Sequence, residues 1–402
     1  MRTAMWSLLA ASAALGACKW TEFDDLEDET WVGSTEKPGV KSNDYGVAIQ
    51  RGAQAGDGGT LVVIGANQPT YSQLVYSAKG EAKLAATTLE LNSQYSIGNL
   101  DAQPILLADP TSDDTALIVN GGGSQVVVLT GAGQLNMHNL FISPSPADAA
   151  TYMLAPGQTV TQPLVASGEV VIGTFYANPP ATPTCKLVDG TAAIKPLALG
   201  AVRSGASDDV LAWGSNGKLY RYAGSVFSGC AVPAIPIASH DTGFIPGHGS
   251  QILTIGPNAV LLQGHHEADD TSILQVYNST TLAPIGDPQS MPKLRTAAIL
   301  DIGAQKYVIA GYPANQVGDT GIAGGQVILY KVSGTAGIDS EKATTLNDAQ
   351  PENNQSFGRA VAAMPFNGKQ VIAVAANNEI FVYYRANLTD GTALYDETRQ
   401  GR

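Results

Sequence analysis

Basic residues are scarce in this 402-residue chain: 22 Lys and Arg stand against 35 Asp and Glu, leaving a formal charge of -13. Phosphate backbones are bound by clustered Lys and Arg, and no basic face is available here, so nucleic acid is excluded as a partner. Charged residues of both signs amount to only 14%, too few for a disordered or coiled-coil chain. Beyond the first residues there is no apolar run of about 20, the length a membrane-spanning helix needs. No G-x-S-x-G turn and no H-E-x-x-H helix occurs, and the Gly-rich GDGG and NGGG stretches do not lead into helices, so no phosphate cradle is read from them. No catalytic group is nominated, and the chain is not expected to be an enzyme. What is abundant is turn punctuation: 44 Gly and 22 Pro, beside 44% apolar residues that can bury a core. That combination predicts an all-β protein with many turns.

Residues 1–17, MRTAMWSLLAASAALGA, place Arg2 before an apolar stretch too short for a permanent span, which is the layout of a secretory signal. Leu15-Gly16-Ala17-Cys18 resembles a bacterial lipobox, whose cysteine receives the diacylglyceryl group. The mature chain is then expected to start at Cys18, held by three acyl chains, palmitate among them, far more firmly than one chain allows. Lys19, rather than Asp, follows the cysteine. By the sorting rules this resembles, that residue directs the lipoprotein to the outer membrane, on its periplasmic or its cell-surface face. Six of the eight residues in EFDDLEDE (22–29) are acidic. Such a run is solvated and self-repelling, and it extends and holds the folded part off the membrane. The expected organisation is a signal at 1–17, a lipidated acidic tether at 18–41 and a folded domain at 42–402.

With Cys18 acylated, Cys185 and Cys230 remain to pair in the oxidising compartment an exported chain meets. Two separate buried thiols are the competing reading. Neither cysteine has the Cys/His spacing of a zinc site.

The most informative feature is a recurring unit. Its first piece opens on an aromatic residue or Leu: Tyr45-Gly46-Val47-Ala48-Ile49, Leu294-Arg295-Thr296-Ala297-Ala298 and Phe357-Gly358-Arg359-Ala360-Val361. Its second is a nearly unbroken β-branched run, LVVIGAN (61–67), YVIAGYP (307–313) and VIAVAAN (371–377). Its third alternates and ends in Tyr, as in SQLVY (72–76), GQVILY (325–330) and NEIFVY (378–383). Weaker copies of the second piece begin near 116, 169, 210 and 260, giving seven copies at a mean step of about 52 residues, one four-stranded blade plus loops. The predicted architecture is a seven-bladed β-propeller, with six or eight blades as alternatives because the copies near 169 and 210 are degenerate. Second strands, covered on both faces by neighbouring blades, should be unbroken apolar runs; third strands, with one polar face, should alternate.

The pattern F/Y-G-x-x-V/A, then V-V-I-G-A, then G-x-V-Y-V-Y, resembles the FG-GAP repeat of integrin α-subunit propellers and their bacterial relatives. Tyr45-Gly46, Ile64-Gly65-Ala66, Phe357-Gly358 and Gly311-Tyr312-Pro313 carry it. With the lipobox and acidic tether, the layout resembles surface lipoproteins of myxobacterial type. The resemblance implies a propeller, and in several family blades a D-x-D-x-D-G loop that binds Ca²⁺ through carboxylates and carbonyls. Here the matching turns read AGDGG (55–59), IGAQ (302–305) and FNGK (366–369), so calcium is not carried over to them. Asp109, Asp113 and Asp114, and the pair Asp208-Asp209, are the residual calcium candidates; the competing reading of each is turn chemistry. No cofactor is otherwise expected. The Asp-box S-x-D-x-G-x-x-W of sialidase propellers is absent.

The densest polar cluster, His265-His266-Glu267-Ala268-Asp269-Asp270, is expected to be a solvated loop, since adjacent strand residues point to opposite faces and cannot easily share one ion. His240-Asp241 and His248 form a second His-containing loop, also read as structural. The resulting expectation is a membrane-tethered surface lipoprotein whose propeller loops bind a protein or glycan, as in adhesion. The alternative is a propeller hydrolase or lyase acting on polysaccharide.

Overall fold

The computed structural model describes the strands of residues 30–173 and then 184–204, 207–228, 233–247, 249–266, 270–302, 305–317, 321–347, 353–366, 369–377 and 379–385, with side chains mainly in the later stretches. Outside the third sheet, strands order as predicted from the repeat. Among the described residues there are seven four-stranded antiparallel sheets and one two-stranded ribbon, Val188–Asp189 with Ala192–Ala193. The first strand of each sheet contacts the first strand of the next, and the seventh returns to the first, so the sheets close into a ring. This is the blade arrangement of a β-propeller.

The fifth and sixth sheets display the underlying chemistry most fully. In the fifth, Gln251–Gly256 lies innermost, followed by Ala259–His266, Thr271–Asn278 and Pro284–Ser290; in the sixth the order is Thr296–Ile302, Gln305–Tyr312, Gln326–Ser333 and Gly337–Leu346. The second strands, AVLLQGHH and QKYVIAGY, are buried almost end to end, because a sheet covers each face. The third strand QVILYKVS alternates buried with half-buried positions, and the outermost strand PIGDPQS is mostly exposed. Apolar layers fill the spaces between sheets. Leu211, Trp213, Val260 and Leu262 pack between the fourth and fifth, Leu261, Leu274, Leu294 and Val308 between the fifth and sixth, and Ile309, Leu329, Phe357 and Val374 between the sixth and seventh.

The F/Y-G motif has a physical cause. Gly46 and Gly358 have φ of +84° and +88°, a region side chains rarely adopt. A Cβ on Gly358 would lie 2.7 Å from the Gln326 carbonyl oxygen of the preceding sheet, and one on Gly46 would lie 3.0 Å from Ile380 Cδ1. The glycine therefore marks where one sheet is laid against the one before. The preceding residue, Phe357, is fully buried and meets Phe381 and Tyr383 edge-on at 5.3 and 6.1 Å.

Two sequence expectations change. The run near 169 is not a second strand: in the third sheet Gln162–Ser167 is second and Val170–Gly173 third. Both PLVAS and VVIG are short apolar runs, and composition alone cannot order them. The stretch 18–41 is also not tether throughout. Thr30–Glu36 pairs antiparallel with Glu379–Arg385, Thr30 opposite Arg385 and Glu36 opposite Glu379, and is the outermost strand of the seventh sheet. The last sheet would otherwise end on an unpaired edge, so the chain's early segment closes the ring with its late one. Residues 1–17, Cys18 and the acidic run 22–29 lie outside the described residues.

Candidate binding rim

Because inner strands run in the same sense around the ring, the propeller has two unlike ends. We call the upper rim the one where inner strands begin; it carries the connections between sheets and between second and third strands. Like ends meet across the sheets. Arg221, near the end of Lys218–Tyr222, the third strand of the fourth sheet, donates to the Thr280 carbonyl in the third-to-fourth turn of the fifth at 3.0 Å, while Gly358 abuts Gln326 and Tyr312 on the upper rim.

On the lower rim only two residues separate the first and second strands of the fourth to seventh sheets, at 205–206, 257–258, 303–304 and 367–368, whereas the first three sheets have longer connections there, at 52–59, 109–114 and 153–161. The upper rim carries longer connections, at 242–250, 313–325 and 347–359, and these are tied together. Asn354 N donates to Ala323 O at 3.0 Å, Phe357 N to Gly324 O at 2.8 Å and Asn377 N to Gln355 O at 2.7 Å. Ala323 N donates to Asn353 Oδ1 at 3.1 Å, Asn377 Nδ2 to Asn354 O at 2.6 Å and Arg359 Nη1 to Asn377 Oδ1 at 3.1 Å. Gln316, Asn353, Asn354 and Asn377 are nevertheless exposed. Four of the five described non-glycine residues with positive φ sit on this rim: Asp270 (54°), Lys293 (66°), Asn354 (62°) and Ser356 (57°). Each such conformation costs on the order of 1–3 kcal/mol and persists where surrounding structure enforces it, a pattern concentrated at functional sites. Ile245, 56% exposed, adds an apolar point beside Phe244, whose ring packs on Trp213 at 5.9 Å.

Beneath these loops is a polar chain that sequence reasoning placed in a solvated loop. His265 and His266 instead end the strand Ala259–His266, and His265 is only 4% exposed. His265 Nδ1 lies 3.0 Å from Ser272 Oγ, which donates onward to the Leu294 carbonyl at 3.0 Å. Arg295 Nη1 donates to His265 Nε2, and Arg295 Nη2 lies 3.1 Å from Asp270 Oδ1. Ser272 is 1% exposed and its proton is committed to a carbonyl, so it is placed as a brace rather than a nucleophile. The chain runs from the exposed rim into the contact between fifth and sixth sheets, and it holds Asp270 in its positive-φ turn. The strand's ladder runs through both histidines, with Gly264 opposite Ile273, His265 opposite Ser272 and His266 opposite Thr271. Below the rim Tyr312 donates to Met291 Sδ at 3.2 Å and lies 3.1 Å from Tyr330 Oη; burial, then the neighbouring phenol, pushes Tyr312 well above the ordinary tyrosine range.

The remaining candidates are scattered. Asp208 and Asp209 lie in the strand Ser207–Gly214, not in a loop. Asp209 is 5% exposed; its Oδ2 is 2.5 Å from Arg221 Nη2 and its Oδ1 accepts from Gly224 N at 3.2 Å. Its carboxylate thus engages an internal ion pair and a backbone N–H. Asp109, Asp113 and Asp114 lie outside the described residues, as does His248. Among the described residues no group of three or more His, Cys, Asp or Glu is arranged to hold a metal ion. His240 lies in the outermost strand Ala238–Asp241, its ring 5.6 Å from that of Tyr277. Across the seven inner strands the sequence carries two carboxylates, Asp148 at the start of its strand and Asp301 near the end of another three sheets away. Asp301 is ion-paired with Lys306. Cys185, in Thr184–Lys186, is disulfide-bonded, and Cys230 lies outside the described residues. Phe227 and Ala234, which flank Cys230 in sequence, join Cys185 in one buried cluster, and Ala234 N donates to Lys186 O at 2.8 Å.

No family model and no curated sequence matches the chain. Solved structures do. BBS1N, from its complex with ARL6DN, is 11% identical with a TM-score of 0.57, over 90% of this chain and 99% of that one. A chain from a humanized mutant of the Chaetomium thermophilum Polycomb Repressive Complex 2 bound to the inhibitor GSK126 is 12% identical with a TM-score of 0.56, over 89% and 98%. At such identities the likeness is one of fold, and it extends over nearly the whole chain: this protein is a β-propeller.

Proposed function

We propose that this chain is a membrane-tethered lipoprotein that binds a protein partner through the upper rim of its fifth to seventh sheets. The observation that carries the reading is the collection of enforced positive-φ residues and cross-braced loops on the upper rim of these sheets. A preformed surface loses little entropy on binding, so backbone strain and cross-loop hydrogen bonds are well used there. The exposed groups are amides, Lys293 and Ile245 rather than a stacked aromatic platform, which favours a protein over a glycan. The hydrolase alternative draws no support from Asp148 and Asp301, which stand at opposite ends of their strands in sheets that are not neighbours.

In this reading Cys18 carries the acyl chains, Cys185 pairs with Cys230, and the repeats are degenerate FG-GAP units whose Gly46 and Gly358 keep the family's contact while its calcium loops are lost. The outer membrane, on its periplasmic or surface face, is the proposed location. Cross-linking in the producing cells tests the binding face. A partner captured by the wild type and by Asn258→Glu on the lower rim, but lost in Lys293→Glu/Gln316→Glu, supports the reading. A partner retained by the upper-rim variant and lost by the lower-rim one contradicts it.

A further inference from the structure

The direction of the closing strand fixes where the anchor joins the disc. The third strand of the seventh sheet, Glu379–Arg385, begins beside the upper-rim turn after Ala376 and ends at Arg385 on the lower rim. Thr30 is paired with Arg385, so the chain arriving from Cys18 reaches the propeller at the lower rim. Of the three large apolar side chains that stand exposed among the described residues, two are also there. Ile235 and Ile237, 64% and 57% exposed, precede the outermost strand Ala238–Asp241 of the fourth sheet, where Ala238 pairs with Arg221 at the lower end. The backbone of Ile237 is fixed, its N–H donating to Arg221 O at 2.7 Å. Pro236 between them stiffens the segment.

The fourth and seventh sheets are three apart, the widest separation a ring of seven sheets permits. Both features are peripheral, one on an outermost strand and the other leading into one. An acylated tether on one side and an apolar pair across the disc define a face rather than a point. We infer that the propeller rests with its lower rim toward the lipid surface, Ile235 and Ile237 touching it, and presents its upper rim away from the membrane. The inference rests on the proposed acylation of Cys18. Residues 18–29 span at most about 40 Å when extended, which permits standoff as well as contact; the two isoleucines select contact. Because the tether makes their encounter intramolecular, an affinity too weak to recruit a free protein is enough to orient an anchored one. The same geometry exposes Lys293, Asn354 and Ile245 to whatever approaches from outside.

The test uses the acylated full-length chain in vesicles of phosphatidylethanolamine and phosphatidylglycerol. Flotation and an alkyne-palmitate label first report the anchor. Ile237→Cys and Ile245→Cys are then each labelled with an environment-sensitive fluorophore, in vesicles with and without nitroxide-headgroup lipid. The expected result is at least a twofold loss of emission at position 237 and less than a tenth at 245. Flotation with equal quenching at both positions, none at 237, or more at 245 overturns the orientation and leaves the anchor standing. A chain that neither floats nor takes up the label overturns the anchor, and this orientation with it.

Discussion

Gly358→Ala isolates the contact that the repeat exists to make. The glycine has φ +88°, and a methyl there would sit 2.7 Å from Gln326 O, 3.0 Å from Val327 Cγ2 and 3.2 Å from Tyr312 N. Neither backbone group can yield easily, since Gln326 and Tyr312 face each other in the sixth sheet's ladder, and Gly358 N is itself bound to Ala375 O at 3.0 Å. Gly190 is the control: φ is +63° with nothing within 4 Å of a built methyl. Both substitutions meet positive-φ strain, partly offset by a stiffer unfolded chain, for a net cost of about 1 kcal/mol. Gly358→Ala adds an overpacking term of about 1–3 kcal/mol, because sheets six and seven must part for the methyl to fit. The expected difference is at least about fivefold in the unfolding equilibrium constant, read from urea titrations of the soluble Cys18→Ser form. If Gly358→Ala costs no more than Gly190→Ala, the motif glycine is a turn residue only, and the account of why the repeat begins F/Y-G is wrong.

Other perturbations bear on separate parts of the structure. Cys185→Ser and Cys230→Ser should each lower stability by roughly 3–4 kcal/mol, the worth of closing a loop of about 46 residues, and the double variant should cost no more than either; additive losses in denaturant titrations would show the cysteines are not partners. Asp209→Ala strands the Arg221 guanidinium in a site where the two side chains are 7% and 11% exposed, so a loss of about 3–5 kcal/mol is expected, with no change in melting temperature on adding Ca²⁺ or chelator to the wild type. Burial, then the charge of Asp241, pushes the Tyr277 phenol up to about 12 from an ordinary 10.0. The folded state thus holds that proton more tightly than the unfolded one, so this contribution is whole below pH 10 and fades as pH climbs through 12. Tyr277→Phe should flatten the alkaline fall in stability over that interval, and an unchanged slope would refute the assignment.

Second strands were legible in sequence because both faces are buried, which writes an unbroken apolar run such as YVIAGYP; third strands were legible because one face is wet. The third sheet was misread where two short apolar runs, at 162–167 and 170–173, sit side by side and neither is long enough to reveal its rank. Thr30–Glu36 was hidden for another reason. It follows an acidic run, and its pairing partner is some 350 residues away, so no local pattern marks it as sheet. The upper rim was the least legible feature. Asn354 and Ser356 read as ordinary loop residues, and only backbone angles and the bonds from Ala323 and Asn377 set them apart. His265 was misplaced because its partner Arg295 comes from the connection into the next sheet, a neighbour that sequence spacing does not reveal.

The measurement that tests the closed ring most directly is a cross-link between the strands that close it. Gly33 and Val382 are directly opposed in the antiparallel pair, a separation that suits a disulfide. In Gly33→Cys/Val382→Cys, mild oxidation of dilute protein should yield one peptide joining residues 33 and 382 within a single chain, and raise the melting temperature. Links found only between chains, or no link at all while the fold persists, would mean that this segment does not complete the seventh sheet, and the orientation of the disc on its anchor would go with it.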